Sequence, residues 1–425
     1  MPLQNLPGFR DFYPEDLAVR NHIFSVWRQT ALRYGFREYD GPPLEPLELY
    51  QKKSGEELTG QLYQFVDKGE RAVALRPEMT PTLARMVGAK EREFKKPIKW
   101  FSIPQLFRYE RQQRGRLREH FQFNADIIGE ENVDADAELI ALAIESLRGF
   151  GLTENDFIVR ISSRQAWRQK LLSLGIAEES THYSVIQIID KLEREPLPKT
   201  RAKLTELSLS ESVIADVMTY AQETNPQTSE AADLAQLQDL LGTDLWKYCR
   251  VDLRIVRGLA YYTGIVWEIH DRNGEFRAIA GGGRYDNLIS LVTDAKLNLA
   301  ALGFGMGDVV LTELLKARGK LSTSTSKLDC YVVMIGDESH RAKVTPYIHE
   351  WRHQKLSVDY ALDRGARVNK QFQAAAASGA RFAVIIGPDE LGKGECKLKD
   401  LATGNELPHP VKLTDLATVV RSLKA

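Results

Sequence analysis

Cysteine is scarce: Cys249, Cys330 and Cys396 are the whole complement of a 425-residue chain, and they stand far apart. That spacing suggests neither a disulfide framework nor a CxxC metal site, so buried or incidental thiols are expected. Histidine is nearly as rare, with 8 residues and no HExxH or other dense ligand spacing, which argues against a zinc held by the protein alone. A surplus of either charge is missing too, since 57 Lys and Arg meet 58 Asp and Glu for a net charge of −1. A nonspecific nucleic-acid binder carries excess cations to displace counterions, so any nucleic-acid contact here must use a local patch. No apolar run approaches the roughly 18 residues of a membrane span. The first residues lack the basic and apolar regions of a signal peptide, and a cytoplasmic protein without membrane partners is expected. There is no GxxxxGK[ST] loop and no dinucleotide fingerprint in a βαβ unit, which argues against P-loop and Rossmann nucleotide sites.

The length predicts about two to four domains, each able to bury a core. A boundary is expected at Lys320-Leu-Ser-Thr-Ser-Thr-Ser-Lys327, a polar small-residue run that reads as a flexible linker. Beyond it the pattern predicts strand (Cys330 to Ile335), helix (His340 to Gln354), strand (Ser357 to Ala361), helix (Val368 to Ser378) and strand (Phe382 to Ile386). A loop at Gly387-Pro388 and a hairpin-like end follow, which together make a small open α/β sheet. Upstream, helical patterning is expected over about 165–245, with amphipathic stretches at Gln165 to Leu174 and Ser184 to Glu193. Strands are expected at Pro97 to Glu110, Gln122 to Gly129, Cys249 to Ile255 and Tyr262 to Ile269, and a helix at Asp308 to Ala317. The glycines of Gly303-Phe-Gly-Met-Gly307, opening that helix, suit either a phosphate cradle or close packing.

One local patch of charge exists. From Lys95 to Arg118 eight basic residues (Lys95, Lys96, Lys99, Arg108, Arg111, Arg114, Arg116 and Arg118) meet one acid, Glu110. Phe107-Arg-Tyr-Glu110 and the strand at Gln122 flank a loop, Arg111 to Arg118, that is almost wholly polar and basic. Two extended strands joined by such a loop predict an antiparallel hairpin. An arginine within an apolar strand is costly unless its charge is paired. A phosphate is a natural partner for Arg108, through bidentate hydrogen bonds, and an ion pair with Glu110 is the plain alternative.

With those residues in view, the chain resembles the class II aminoacyl-tRNA synthetases, and more narrowly the histidyl-tRNA synthetase family, over essentially its whole length. The hairpin is similar to the second class-defining motif. Gly35-Phe-Arg-Glu-Tyr-Asp-Gly-Pro-Pro-Leu-Glu45 resembles the first, which lies in a dimer interface, and Leu75-Arg-Pro-Glu-Met-Thr80 looks like the amino-acid-binding loop. Val256-Arg-Gly-Leu-Ala-Tyr-Tyr-Thr-Gly264 resembles the histidine-specific signature, followed by the family-like Gly282-Gly-Arg-Tyr-Asp286. The fold so implied combines α/β and α+β parts. It has an antiparallel-sheet class II core over 1–325, with a helical insertion at about 165–245, and a small α/β anticodon-binding domain over 328–425.

The resemblance implies histidine activation by ATP to histidyl-adenylate and pyrophosphate, then transfer of histidine to the 3′ end of tRNA(His). The implied partners are histidine, ATP, tRNA(His) and a second copy of the chain, with Mg²⁺ bound mainly through the ATP phosphates. Arg108 is expected to hold the α-phosphate and the substrate carboxylate, and Arg257 to stabilise charge at the same phosphorus. Glu78 and Thr80, with Met79 between them, belong to the α-amino site. Gln122, Asp126, Tyr261, Tyr262 and Tyr285 are implied around the imidazole, although adjacent strand residues face opposite ways, so both Tyr261 and Tyr262 cannot line one pocket in regular geometry. Glu110, Arg116, His120, Gly303 and Gly305 are the implied ATP contacts.

Several positions depart from the family pattern. Val310 stands where an arginine clamps the γ-phosphate, and Val309 replaces the acid before it. Ala260 replaces an aspartate, Asp126 a glutamate, and His120 a phenylalanine that stacks on adenine, with Phe121 displaced by one. Val310 keeps open an alternative function, a catalytically silent histidine-sensing paralogue resembling the regulatory subunit of ATP phosphoribosyltransferase.

Overall fold

The computed structural model describes residues 4–51, 60–110, 113, 115–224, 231–257, 262–321 and 328–424. The chain divides into two compact units, Met1–Ser322 and Thr323–Ala425. Most of the polar run expected as a linker lies outside the described residues.

In the first unit, twelve strands among the described residues form a large mixed sheet and a small one. They are β1 (Arg37–Glu38), β2 (Leu44–Pro46), β3 (Gln64–Val66), β4 (Ala72–Leu75), β5 (Ile98–Ser102), β6 (Gln105–Phe107), β7 (Glu119–Ile128), β8 (Phe157–Ser163), β9 (Cys249–Val251), β10 (Ile265–Asp271), β11 (Ala280–Arg284) and β12 (Ala301–Gly307). The large sheet runs β1-β5-β7-β12-β11-β10-β8-β9, with β6 paired to β7, and β2-β4-β3 form the small sheet. All pairings from β5 to β8 are antiparallel, while β1 and β9 join the edges in parallel.

Period-two alternation decides which face becomes the core. On β7 the apolar Phe123, Ala125 and Ile127 enter the main hydrophobic cluster, so Gln122, Asn124 and Asp126 stand on the opposite face. The core face is covered by two helices, Pro14–Arg33 and Val133–Arg148, which bury Ile23, Trp27 and Ala31 and a run including Leu139, Ile140 and Leu147. Trp27 stacks on Phe123 with ring centroids 5.6 Å apart, and Phe123 meets Phe304 of β12 edge-on at 5.4 Å. Buried aromatics of this size cost ~3–5 kcal/mol each to truncate. The first helix starts with Pro14, Glu15 and Asp16 and ends near Arg33, charges that complement its dipole.

The hairpin forms as expected, with Gln105, Leu106 and Phe107 opposite Phe121, His120 and Glu119. The strand expected from Pro97 to Glu110 is broken into β5 and β6, because Pro104 cannot donate to a ladder. Tyr262 lies before the strand that begins at Ile265. The strand expected to reach Ile255 stops at Val251, where the Asp252 carboxylate gathers hydrogen bonds from Arg160 and Arg254. Gly303 to Gly307 belongs to β12 and does not open the helix; its amides are laddered between β7 and β11, which removes the free N–H groups that a phosphate cradle needs. Asp308–Ala317 is helical as expected. Among the described residues of 164–246 five helices form: Arg164–Ser173, Glu179–Ile189, Leu197–Glu206, Glu211–Tyr220 and Ala232–Trp246.

The second unit holds β13 (Cys330–Met334), β14 (Val358–Tyr360), β15 (Phe382–Ile386), β16 (Glu395–Asp400) and β17 (Val411–Lys412), in the order β14-β13-β15-β16-β17. The first three run parallel and the last two antiparallel. The Gly387-Pro388 turn, expected as a loop, starts a short helix, Pro388–Lys393, whose N-terminus Glu390 closes by accepting the Gly387 N–H. Burial pushes the thiols of Cys249 and Cys396 up to about 12, and that of Cys330 up as well, so all three are poor nucleophiles.

Candidate active site

The polar face of the large sheet carries two adjoining cavities, of about 100 Å³ and about 850 Å³. Arg108, Gln122, Arg257, Gly281 and Gly305 line both. The glycines of β11 and β12 form this floor for steric reasons. A Cβ at Gly281 would fall 1.4 Å from Nη1 of Arg257, one at Gly303 2.1 Å from Oδ1 of Asp126, and one at Gly305 2.5 Å from Nε2 of Gln122. Bare backbone thus lets three functional side chains lie flat across the sheet.

In the smaller cavity Glu78, Thr80, Gln122, Asp126, Tyr262 and Tyr285 come together. The Tyr285 hydroxyl donates to Oδ1 of Asp126, which is 4% exposed. A carboxylate and a phenol in an enclosed space suit an imidazole, which donates from one nitrogen and accepts at the other. Met79 lines neither cavity: it is fully buried, with its sulfur toward Nη1 of Arg76, because it precedes the helix Thr80–Lys90 on the core side. Tyr261 lies outside the described residues. Gly303, expected as an ATP contact, lines the smaller cavity, under Asp126, and not the larger one.

The larger cavity is lined by Glu110, Arg116, His120 and Gly305 among others, and among the described residues by seven arginines against four carboxylates. That excess of fixed cations suits a polyanion. Arg108 does not pair with Glu110; its Nε donates to the Pro77 carbonyl at 2.9 Å, tying the hairpin to the 75–80 loop. Glu110 pairs instead with Arg116. Burial, aided by Arg108, Arg10 and Arg116, pushes the His120 imidazole down to about 3, so the ring is neutral near pH 7. Phe121 is turned to the other face, against Phe24 and Phe12, and cannot replace His120 beside a base. The wider basic patch is partly neutralised from outside its own segment, Lys96 by Glu91 and Lys99 by Glu138.

Arg257 has a left-handed backbone, φ +46°, a conformation that costs a non-glycine residue of order 1–3 kcal/mol. It is held there by Arg164, whose Nη2 donates to the Arg257 carbonyl at 2.6 Å. The guanidinium of Arg257 lies 3.4 Å from both the Trp267 carbonyl and the Glu268 carboxylate. Burial works against the charge of Glu268, yet the His270 hydrogen bond and Arg257 more than offset it and keep that carboxyl below its usual range.

Some site residues have no place in the sequence reading. Asn124 lines the smaller cavity and was legible as the middle of the alternation Gln122, Asn124, Asp126. Arg76 pins the 75–80 loop through Asp40, the Gly41 carbonyl and the Gln105 carbonyl. Neither Arg76 nor Arg164 is signalled locally, since their partners lie tens of residues away.

The fold and the paired cavities define a class II aminoacyl-tRNA synthetase architecture. The family model of histidyl-tRNA synthetase matches residues 8–307, and an anticodon binding domain matches residues 329–423. A histidine–tRNA ligase of Opitutus terrae is 47% identical over 424 residues, 96% of each chain. The crystal structure of histidyl-tRNA synthetase from Nostoc sp. PCC 7120 shares the fold at a TM-score of 0.80, with 24% identity and full coverage of both chains. A Bacillus halodurans structure titled as an ATP phosphoribosyltransferase regulatory subunit/histidyl-tRNA synthetase shares it at 0.74, with 20% identity, covering 91% of this chain and 98% of that one. The chain belongs to the histidyl-tRNA synthetase family.

Proposed function

We propose that the protein is a histidine–tRNA ligase that activates histidine with ATP and esterifies the 3′ end of tRNA(His). The observation that carries this is the sharing of Arg108 and Arg257 by a small cavity suited to an imidazole amino acid and a large cationic one suited to a nucleotide. In the reaction a histidine carboxylate oxygen attacks the α-phosphorus, the bond to the bridging oxygen breaks, and pyrophosphate leaves. Two anions must meet, and cations held in place before the reaction offset the charge that develops. Arg108 bridges carboxylate and α-phosphate, and Arg257 stabilises the transition state. Glu78 and Thr80 receive the α-amino group. Gln122, Asp126, Tyr262 and Tyr285 read the side chain, and His120 stacks its neutral ring on adenine.

Mg²⁺ enters with ATP as part of the substrate. Three of the four carboxylates on the cavity wall, Glu110, Glu193 and Glu268, are paired with arginine, so the phosphates supply most of its ligands. Residues 328–425 are proposed to bind the anticodon, and 1–325 to act as the catalytic domain with the 165–245 helices inserted. A homodimer is proposed through the 35–45 segment and its neighbours. Leu44, Phe65 and Val66 leave apolar surface on the small sheet there, at 37%, 51% and 67% exposure. A cytoplasmic location is proposed as well; among the described residues no helix is long and apolar enough to cross a membrane.

Histidine-dependent ATP–pyrophosphate exchange, with the other amino acids as controls, tests the reading. Exchange specific to histidine supports it. Histidine binding by calorimetry without exchange would return the weight to the sensing paralogue, which Val310 alone favours and which the full-length match to a ligase does not.

A further inference from the structure

Val310, in the first turn of the helix Asp308–Ala317 and 8% exposed, lines the larger cavity. An apolar side chain there offers nothing to the distal phosphates of a nucleotide whose α-phosphate lies at Arg108 and Arg257. Across from it runs Gly115, with φ +73° and no side chain. A Cβ at Gly115 would lie 3.3 Å from Cγ2 of Val310 and 4.0 Å from Cδ of Arg277. The stem of Arg277 and the side chain of Val310 therefore both border the bare backbone of Gly115.

Arg277 differs in its partner from four of the other arginines on this wall. Arg116 is tied to Glu110, Arg257 to Glu268, and Arg160 and Arg254 to Asp252 and Glu193. The guanidinium of Arg277 donates to the neutral carboxamide oxygen of Gln113, and among the described residues no carboxylate pairs with it. Exchanging a neutral acceptor for a phosphate gains a charge-assisted hydrogen bond without stranding an anion. Its loop, between β10 and β11, is already fixed, because the Asp271 carboxylate, 2% exposed, accepts the backbone N–H groups of Glu275 and Phe276 at 3.0 Å each.

We propose that Arg277 binds the terminal phosphates of ATP, supplying from the β10–β11 loop the cation that position 310 lacks. This rests on ATP being the substrate, so the test separates the two claims. Binding of ATP and of AMP to the full-length protein is measured by calorimetry without histidine, for the unaltered chain, Arg277→Gln and Arg277→Lys, alongside histidine-dependent exchange. Arg277→Gln should weaken ATP about 10- to 100-fold and leave AMP, which has no distal phosphates, unchanged; Arg277→Lys should recover part of the loss. Equal losses for ATP and AMP, or ATP affinity within about twofold of the unaltered chain, would overturn the assignment. Failure of the unaltered chain to catalyse exchange while it binds ATP more tightly than AMP would remove the ligase reading and leave the role of Arg277 standing.

Discussion

Tyr285, just after β11, donates its phenol hydrogen to Oδ1 of Asp126 in β7. Both residues line the smaller cavity, where an imidazole N–H can reach the carboxylate. Tyr285→Phe should therefore raise KM for histidine about 5- to 20-fold, the value of one buried hydrogen bond, with little change in kcat. Asp126→Asn removes the charge and should cost more, about 10- to 100-fold. A kcat effect exceeding the KM effect in both variants would contradict a role in reading the side chain.

Arg257→Ala should reduce the adenylation rate about 10²- to 10³-fold while histidine affinity falls far less, since its contact strengthens as charge develops at phosphorus. Single-turnover formation of the adenylate, beside equilibrium binding of histidine, separates the two. Losses of equal size would make Arg257 a ground-state contact.

Gly281→Ala tests the flat packing of the site. The added methyl would collide with Nη1 of Arg257, the far end of a flexible side chain. Displacing that end should cost little stability, within ~1–2 kcal/mol by thermal unfolding, yet exchange should fall at least tenfold because the guanidinium is moved from its place. Unchanged exchange would show that the position of Arg257 over β11 is irrelevant to the reaction.

His120 gives a signed pH dependence. Its folded pKa of about 3 lies below the ordinary value of 6.5. Above pH 6.5 the ring is neutral in both folded and unfolded chains and contributes no difference. As pH falls below 6.5 the unfolded chain takes up a proton that the folded chain refuses until about pH 3, so stability is lost across that window. The slope approaches ~1.4 kcal/mol per pH unit for one proton. His120→Phe should remove this component from urea unfolding measured between pH 4 and 7, and keep KM for ATP at pH 7 within about threefold because either ring stacks. An unaltered slope would place the titration elsewhere.

The hairpin from Gln105 to Ile128 was legible because its alternation and basic loop are properties of contiguous residues. The β15 strand and the helix at Asp308–Ala317 were legible for the same reason. Gly303 to Gly307 was not: a glycine run has no side-chain period, and only the strands on either side, β7 and β11, decide that it is laddered. Asn124 was available to the same alternation that picked out Gln122 and Asp126. Met79 shows the opposite limit, since a motif places three residues in one loop without saying which of them faces the core.

What the sequence determined by itself is the family, the residue types at the reacting centre and the departure at Val310, all of which are written in short ordered motifs. What only the tertiary structure decided is how charges are shared. Arg164 holds the strained carbonyl of Arg257, Glu110 goes to Arg116 and leaves Arg108 to Pro77, and Arg277 goes to Gln113. The physical reason is range. Alternation and turn chemistry act over a few residues, whereas the partner of a buried charge is set by whichever element the sheet brings within hydrogen-bond distance, here 93 residues away for Arg164 and Arg257.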